Sequence, residues 1–212
     1  MNDEDSANYR WPDSEILHYI NAAQRQIVTL VPEANVIESI VDLGSNTDAR
    51  QTLPAGGIKF VKISNNFSDA STRKGPVRYA EKDALDSWDP DWEYTPGSDG
   101  DNYFKHYCHD AREDDVYYLY PPPAVSNKFV GLVYSKIPDD LADLHADLSL
   151  DDDFFESYVD YVVFRALSKE GRYSLPDRER DRLWAKFLQS LGLKHVAETN
   201  IGPETVRPPE AP

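Results

Sequence analysis

The sequence predicts an α+β protein: a helical bundle of one N-terminal and two C-terminal helices, an inserted antiparallel β-rich unit, and an extended C-terminal arm. Three observations carry this expectation. Apolar residues recur at three- and four-residue spacing near both ends of the chain. Between them lie short segments dense in β-branched and aromatic residues, joined by turns too brief to hold crossover helices. The last ten residues contain four prolines and no period.

The first helix is read over roughly residues 13 to 31, where Ile16, Ile20, Ala23, Ile27 and Leu30 form one stripe and Leu17 and Val28 widen it. Pro12 precedes it, Asp13, Ser14 and Glu15 sit in its first turn, and Pro32 follows it. "VIESIVDL" (36–43) and "IKFVKIS" (58–64) then read as strands, with "LPAGG" as turn material before the second. "NYFKHYC", "VYYLYPPP" and "KFVGLVYS" supply three more, all expected to be antiparallel. Residues 83–101, which carry Trp88 and Trp92, read as a long loop. Helical spacing returns in "SLDDDFFESYVDYVVFRALSKEG", with Phe155, Tyr158, Val159, Val162, Val163 and Ala166 on the expected core face. Ser149 or Asp151 is the expected cap and Gly171 the expected stop. A last helix over about 176–191 turns Leu183, Trp184, Phe187, Leu188 and Leu191 inward and ends at Gly192. The expected domains are a bundle of 10–33 with 149–192, a β-rich insert of 34–148, and an arm of 193–212.

Composition excludes several functions. The chain has 212 residues, 22 basic and 38 acidic, for a net charge of −16, which is unsuited to gripping nucleic acid through its phosphates. Like charge does suit a wall past which DNA must slide. A single cysteine allows no internal disulfide and no thiolate-based structural zinc site. "MNDEDSANYRW" is acidic and lacks the apolar core of a signal peptide, and no run approaches the ~20 apolar residues of a membrane span. A soluble protein made in a reducing compartment is expected.

Chemistry is first suggested by "KHYCHDAREDD" (105–115), in which His106 and His109 flank Cys108. On a strand, alternate residues share a face, so His106 and Cys108 point together and His109 points away. The segment therefore reads as a strand entering a hairpin loop, not as a metal site. Asp89, Asp91 and Glu93, or Asp151, Asp152 and Asp153, would have to hold the cation of a metal-dependent hydrolase or nuclease, the alternative function. The first group lies beside prolines and the second where a helix start favours negative charge. Neither has a lysine or histidine placed as a base. His18, His145 and His195 stand apart in the sequence. With no phosphate-binding glycine loop, nucleophile elbow or zinc helix, no catalytic residue, metal or cofactor is expected.

Charge is unevenly distributed. Residues 81–115 hold 12 acidic and 3 basic side chains, a net of −9, whereas residues 165–195 hold 8 basic and 4 acidic, a net of +4. Opposite patches suit head-to-tail packing of copies around a closed ring. Arg178, Arg180 and Arg182 on one copy, with Asp114 and Asp115 on the next, are the candidate contacts.

The order "RWPDSEILHYINAAQRQIVTLVPEA", "RQTLPAGGIKFVKISNN", "VYYLYPPP", "VGLVYSKIPDDL", "FESYVDYVVFRALSKEGRYS" and "FLQSLGLK" resembles the head-to-tail adaptor proteins of tailed phages. Within them it is most similar to those of short-tailed phages related to tail tubular protein A. The likeness spans roughly residues 10 to 194 and rests on structural motifs. It implies a homo-oligomeric ring, a dodecamer, assembled in the host bacterial cytoplasm and seated beneath the portal of the virion. Its implied partners are the portal protein, a tail nozzle protein and tail fibres, with DNA passing through and no membrane. The resemblance also implies that the C-terminal arm docks on the portal. Val196, Ile201 and Val206 are the arm's β-branched apolar residues and hence its candidate anchors.

Overall fold

The structure is a computed structural model and describes residues 10–44, 46–95, 103–123, 128–169 and 176–199. Among them are four α-helices and two four-stranded sheets. Contacts divide the chain into two units, Pro32–Pro138 and the flanking Met1–Val31 with Asp139–Pro212. None of the described helices is long and apolar enough to cross a membrane.

The inner unit is built from β1 (Val36–Asp42), β2 (Arg50–Thr52), β3 (Gly57–Phe67), β4 (Arg73–Pro76), β5 (Arg78–Tyr79), β6 (His106–Cys108), β7 (Val116–Tyr120) and β8 (Phe129–Lys136). One sheet has the order β1-β8-β3-β4 and the other β2-β7-β6-β5. A single core joins Phe60, Ile63, Val130 and Leu132 of the first sheet to Tyr107, Tyr117 and Leu119 of the second. Phe60 is its hinge of contact: its ring stacks on Tyr117 at 5.2 Å and meets Tyr107 edge-on at 5.7 Å. Gly131 lies mid-strand in β8, where an added Cβ would collide with Ser64 and approach Phe67 Cε2 to 2.9 Å. Buried Asn66 ties β3 to the chain before β6, because its side chain donates to Phe104 O at 2.9 Å and accepts from Phe104 N at 2.8 Å.

Two expectations for this unit are corrected. β5 pairs with β6 in parallel, so the strands are not all antiparallel. Residues 83–88 of the expected loop belong to α2 (Lys82–Trp88). That helix is too short to stand alone in water. Packing holds it, since Leu85 and Trp92 bury against Ala49 and Cys108, and Trp92 Nε1 donates to Asp86 at 2.8 Å.

The flanking unit holds α1 (Asp13–Leu30), α3 (Phe155–Ser168) after a 3-10 turn at Asp152–Phe154, and α4 (Asp177–Thr199). α3 packs against both α1 and α4. Ala23, Ile27 and Val28 of α1, Tyr158 and Tyr161 of α3, and Phe187 and Leu191 of α4 are buried. Tyr161 meets Phe187 at 5.3 Å, and Phe164 meets Trp184 at the same distance. Polar side chains also enter this core. Gln24 is fully buried and donates to Asp139 O at 2.8 Å, while Asn21 accepts from Leu141 N at 2.8 Å. Buried Asp160 on α3 pairs with Lys186 on α4, and Ser157 meets Ser190 at 3.0 Å.

Several helix details differ from expectation. Neither Ser149 nor Asp151 caps α3; its N-cap is Phe154, with no side-chain cap bond, and Asp151 precedes the 3-10 turn. Gly171 lies outside the described residues. Gly192 does not end α4, which continues to Thr199, so residues 193–199 are helical backbone where an extended arm is expected. A glycine stops a helix by turning left-handed, and Gly192 has no positive φ. Leu30 of α1 and Leu188 of α4 are exposed. The expected core face of α3 is split: Tyr158 is buried and Val162 and Ala166 are half-buried, but Phe155, Val159 and Val163 are exposed, while Ser157, Asp160 and Tyr161 also turn inward.

Candidate assembly surfaces

The histidine-cysteine stretch folds as the alternation rule requires. β6 and β7 form an antiparallel hairpin whose connection contains Asp110–Asp115. Cys108 points into the small cluster around Trp92, and burial pushes its thiol up to about 12. His109 leaves the strand and its Nδ1 lies 2.7 Å from Val116 O, bracing the turn. Among the described residues, no group of three or more His, Cys, Asp or Glu side chains is placed to hold a metal. A thiolate is the reactive form, so Cys108 is expected to resist alkylation in the native protein at pH 8 and to react once denaturant is added. Iodoacetamide labelling followed by mass spectrometry checks this. Labelling at the rate of an exposed thiol would place Cys108 elsewhere.

The two acidic clusters form no metal centre. Glu93 is engaged by Lys82, which also reaches Asp86 at 3.3 Å and lies 5.4 Å from the Trp92 ring centre. Asp151, Asp152 and Asp153 are exposed at the start of the 3-10 turn that leads into α3.

The distinctive features are therefore surfaces. On the flanking unit, Ile20 of α1, Leu148, and Phe155, Val159, Val162 and Val163 of α3 line an open apolar groove of about 220 Å³. Phe155 is 55% exposed, although full burial of a side chain of this size stabilises by ~2 kcal/mol. The outer face of α4 differs in character, with Arg178, Arg182, Ala185 and Leu188 exposed. Arg182 and Lys186 also line a depression of about 650 Å³ with Leu167 of α3. On the inner unit, Tyr79, Trp88 and Tyr94 are exposed aromatics.

The candidate contact residues fall as follows. Arg178 and Arg182 are exposed on α4 and Arg180 is half-buried there. Asp114 and Asp115 are exposed on the β6–β7 connection, where their backbone carbonyls accept from Phe60 N and Leu53 N. The arginines and these aspartates thus belong to different units. Val196 lies on the helical backbone of α4, while Ile201 and Val206 are outside the described residues. Helical periodicity puts the α3 residues of this groove on a core face, so the groove itself is not legible in the sequence. Their signal is a run of valines wider than one buried stripe can use.

Contact area, and not a set of converging reactive groups, is what these surfaces offer, as in proteins whose work is to join other proteins. The family model described as SU10 adaptor protein matches residues 1–207, and the chain belongs to that family. Membership gives it a phage adaptor role and points to the virion as its setting. Comparison with curated proteins gives no match.

Proposed function

We propose that the chain is the structural adaptor of the virion neck, of the tail tubular protein A kind. Copies form a ring, a dodecamer, beneath the portal, join the DNA-filled head to the tail nozzle, and line the channel through which the genome is ejected. The observation that carries this reading is the adaptor-family match over nearly the whole chain. The exposed apolar groove and the net charge of −16 support it, one as contact area and the other as a surface that DNA slides past. A ring repeats each weak contact at every subunit, so avidity and not one strong bond resists the pressure of packaged DNA. Tail fibres are further candidate partners at the same neck.

Portal docking is assigned to the C-terminal region, with Val196, Ile201 and Val206 as anchors. Electron microscopy of the protein mixed with portal rings is expected to show a second ring on the portal. A variant lacking residues 200–212, which leaves α4 whole, should keep its circular dichroism spectrum and lose portal binding by tenfold or more. Undiminished binding would remove Ile201 and Val206 from this role, and absence of any portal complex with the full chain would remove the neck assignment itself.

A further inference from the structure

We infer that the apolar groove on α1 and α3 is the seat for the outer face of α4 from a second copy of this chain. This rests on the ring reading above and names the surfaces that close the ring.

Four observations converge. The groove is open and lined by Ile20, Leu148, Phe155, Val159, Val162 and Val163, so water covers apolar area that a neighbour would dry. The chain segment that supplies Leu148 and Phe155 is strongly acidic: residues 139–156 contain eight Asp or Glu and no Lys or Arg, and of these Asp140 is paired with Arg25. The outer stripe of α4 is net basic, because Arg178, Arg182, Ala185 and Leu188 recur at helical spacing with Asp181 among them, and all five are exposed. Leu188 is the apolar knob of that stripe, 40% exposed and flanked by Ala185 and Gln189. A helix face carrying one leucine and two arginines suits an apolar groove whose lining residues Leu148 and Phe155 are flanked in sequence by the exposed carboxylates of Asp147, Asp151, Asp152, Asp153 and Glu156.

The topology of the contact follows. Groove and knob are different surfaces of one unit, so their union is heterologous: each copy offers a groove to one neighbour and a helix to the other. Such contacts close into a ring when the rotation per subunit divides a full turn. A groove-to-groove contact would instead stop at a dimer and would set like charges against each other.

The test uses two full-length single-cysteine additions, Val159→Cys and Leu188→Cys. Buried Cys108 stays in place, since it is 1% exposed. The variants are mixed on portal rings and treated with a short bis-maleimide, and products are read by denaturing electrophoresis. A cross-linked pair is expected in the mixture and in neither variant alone. A pair from Val159→Cys alone would overturn α4 as the occupant, and a cross-link to portal would overturn a second copy as the partner. Rings without any cross-link would overturn the groove as a seat while leaving the ring reading intact. Portal without rings would overturn both. As a second readout, Val159→Asp should lower ring yield at least tenfold while leaving the thermal melt unchanged, because the site is already in water in the free chain. Unchanged ring yield would overturn the inference.

Discussion

Trp92→Ala is expected to destabilise the inner unit by about 3–5 kcal/mol, the range for removing a large aromatic from a core. Trp92 is 1% exposed, and it follows a segment whose composition is that of a solvated loop. Its ring packs edge-on against Tyr118 and Tyr120, and its indole nitrogen donates to Asp86. Deleting it opens a cavity beside Leu85 and Cys108 and leaves α2 without its anchor. For a unit of this size the melting temperature should fall by on the order of 15 °C. Trp88→Ala is the internal comparison. Trp88 is 68% exposed, so its loss should change stability by less than ~1 kcal/mol despite its contact with Tyr120. Calorimetry of both variants decides the matter. Equal losses would mean that Trp92 does not hold α2 in place.

Reversing Arg178, Arg180 and Arg182 to Glu should weaken ring formation most at low salt. The substitution turns the outer face of α4 from basic to acidic, so attraction to an acidic neighbour becomes repulsion. At ~1 M salt, where screening shortens to about 3 Å, the difference from the natural chain should largely vanish. Arg180 is half-buried, so Arg178→Glu with Arg182→Glu, both at exposed positions, serves as the fold-preserving version. Sedimentation of portal mixtures across a salt series reads the effect. Salt-independent ring yield equal to that of the natural chain would exclude charge-driven packing. A compensating reversal then identifies the counter-surface. Rescue by Lys at Asp151, Asp152 and Asp153 points to the turn that leads into α3, and rescue by Lys at Asp114 and Asp115 points to the hairpin of the inner unit.

Much of the local structure is legible in the sequence. α1 runs from Asp13 to Leu30 with the expected punctuation, and the Tyr-rich segment of β7 and the valine-rich segment of β8 are strands. The hairpin reading of residues 105–115 follows from the two-residue alternation alone, and Cys108 and His109 separate accordingly. These features depend on neighbours in sequence, and the pattern of side chains specifies them directly.

What remained hidden depends on partners distant in the chain. α2 exists because Leu85 and Trp92 find Ala49 and Cys108, and no local pattern encodes that meeting. The parallel pairing of β5 with β6 joins residues 78–79 to 106–107 across a connection that carries its own helix. Buried Gln24 and Asn21 depend on the distant backbone at 139–141, which accepts and donates their hydrogen bonds. The largest difference is α3. Periodicity reveals that a helix has an apolar stripe, but two stripes compete on α3, and tertiary packing alone decides which one the same chain covers. Burial went to Tyr158 and Tyr161, which reach Gln24 and Phe187, while Phe155, Val159 and Val163 were left facing water. Sequence records apolar side chains around much of α3; only three dimensions separate those that fold the chain from those left facing water.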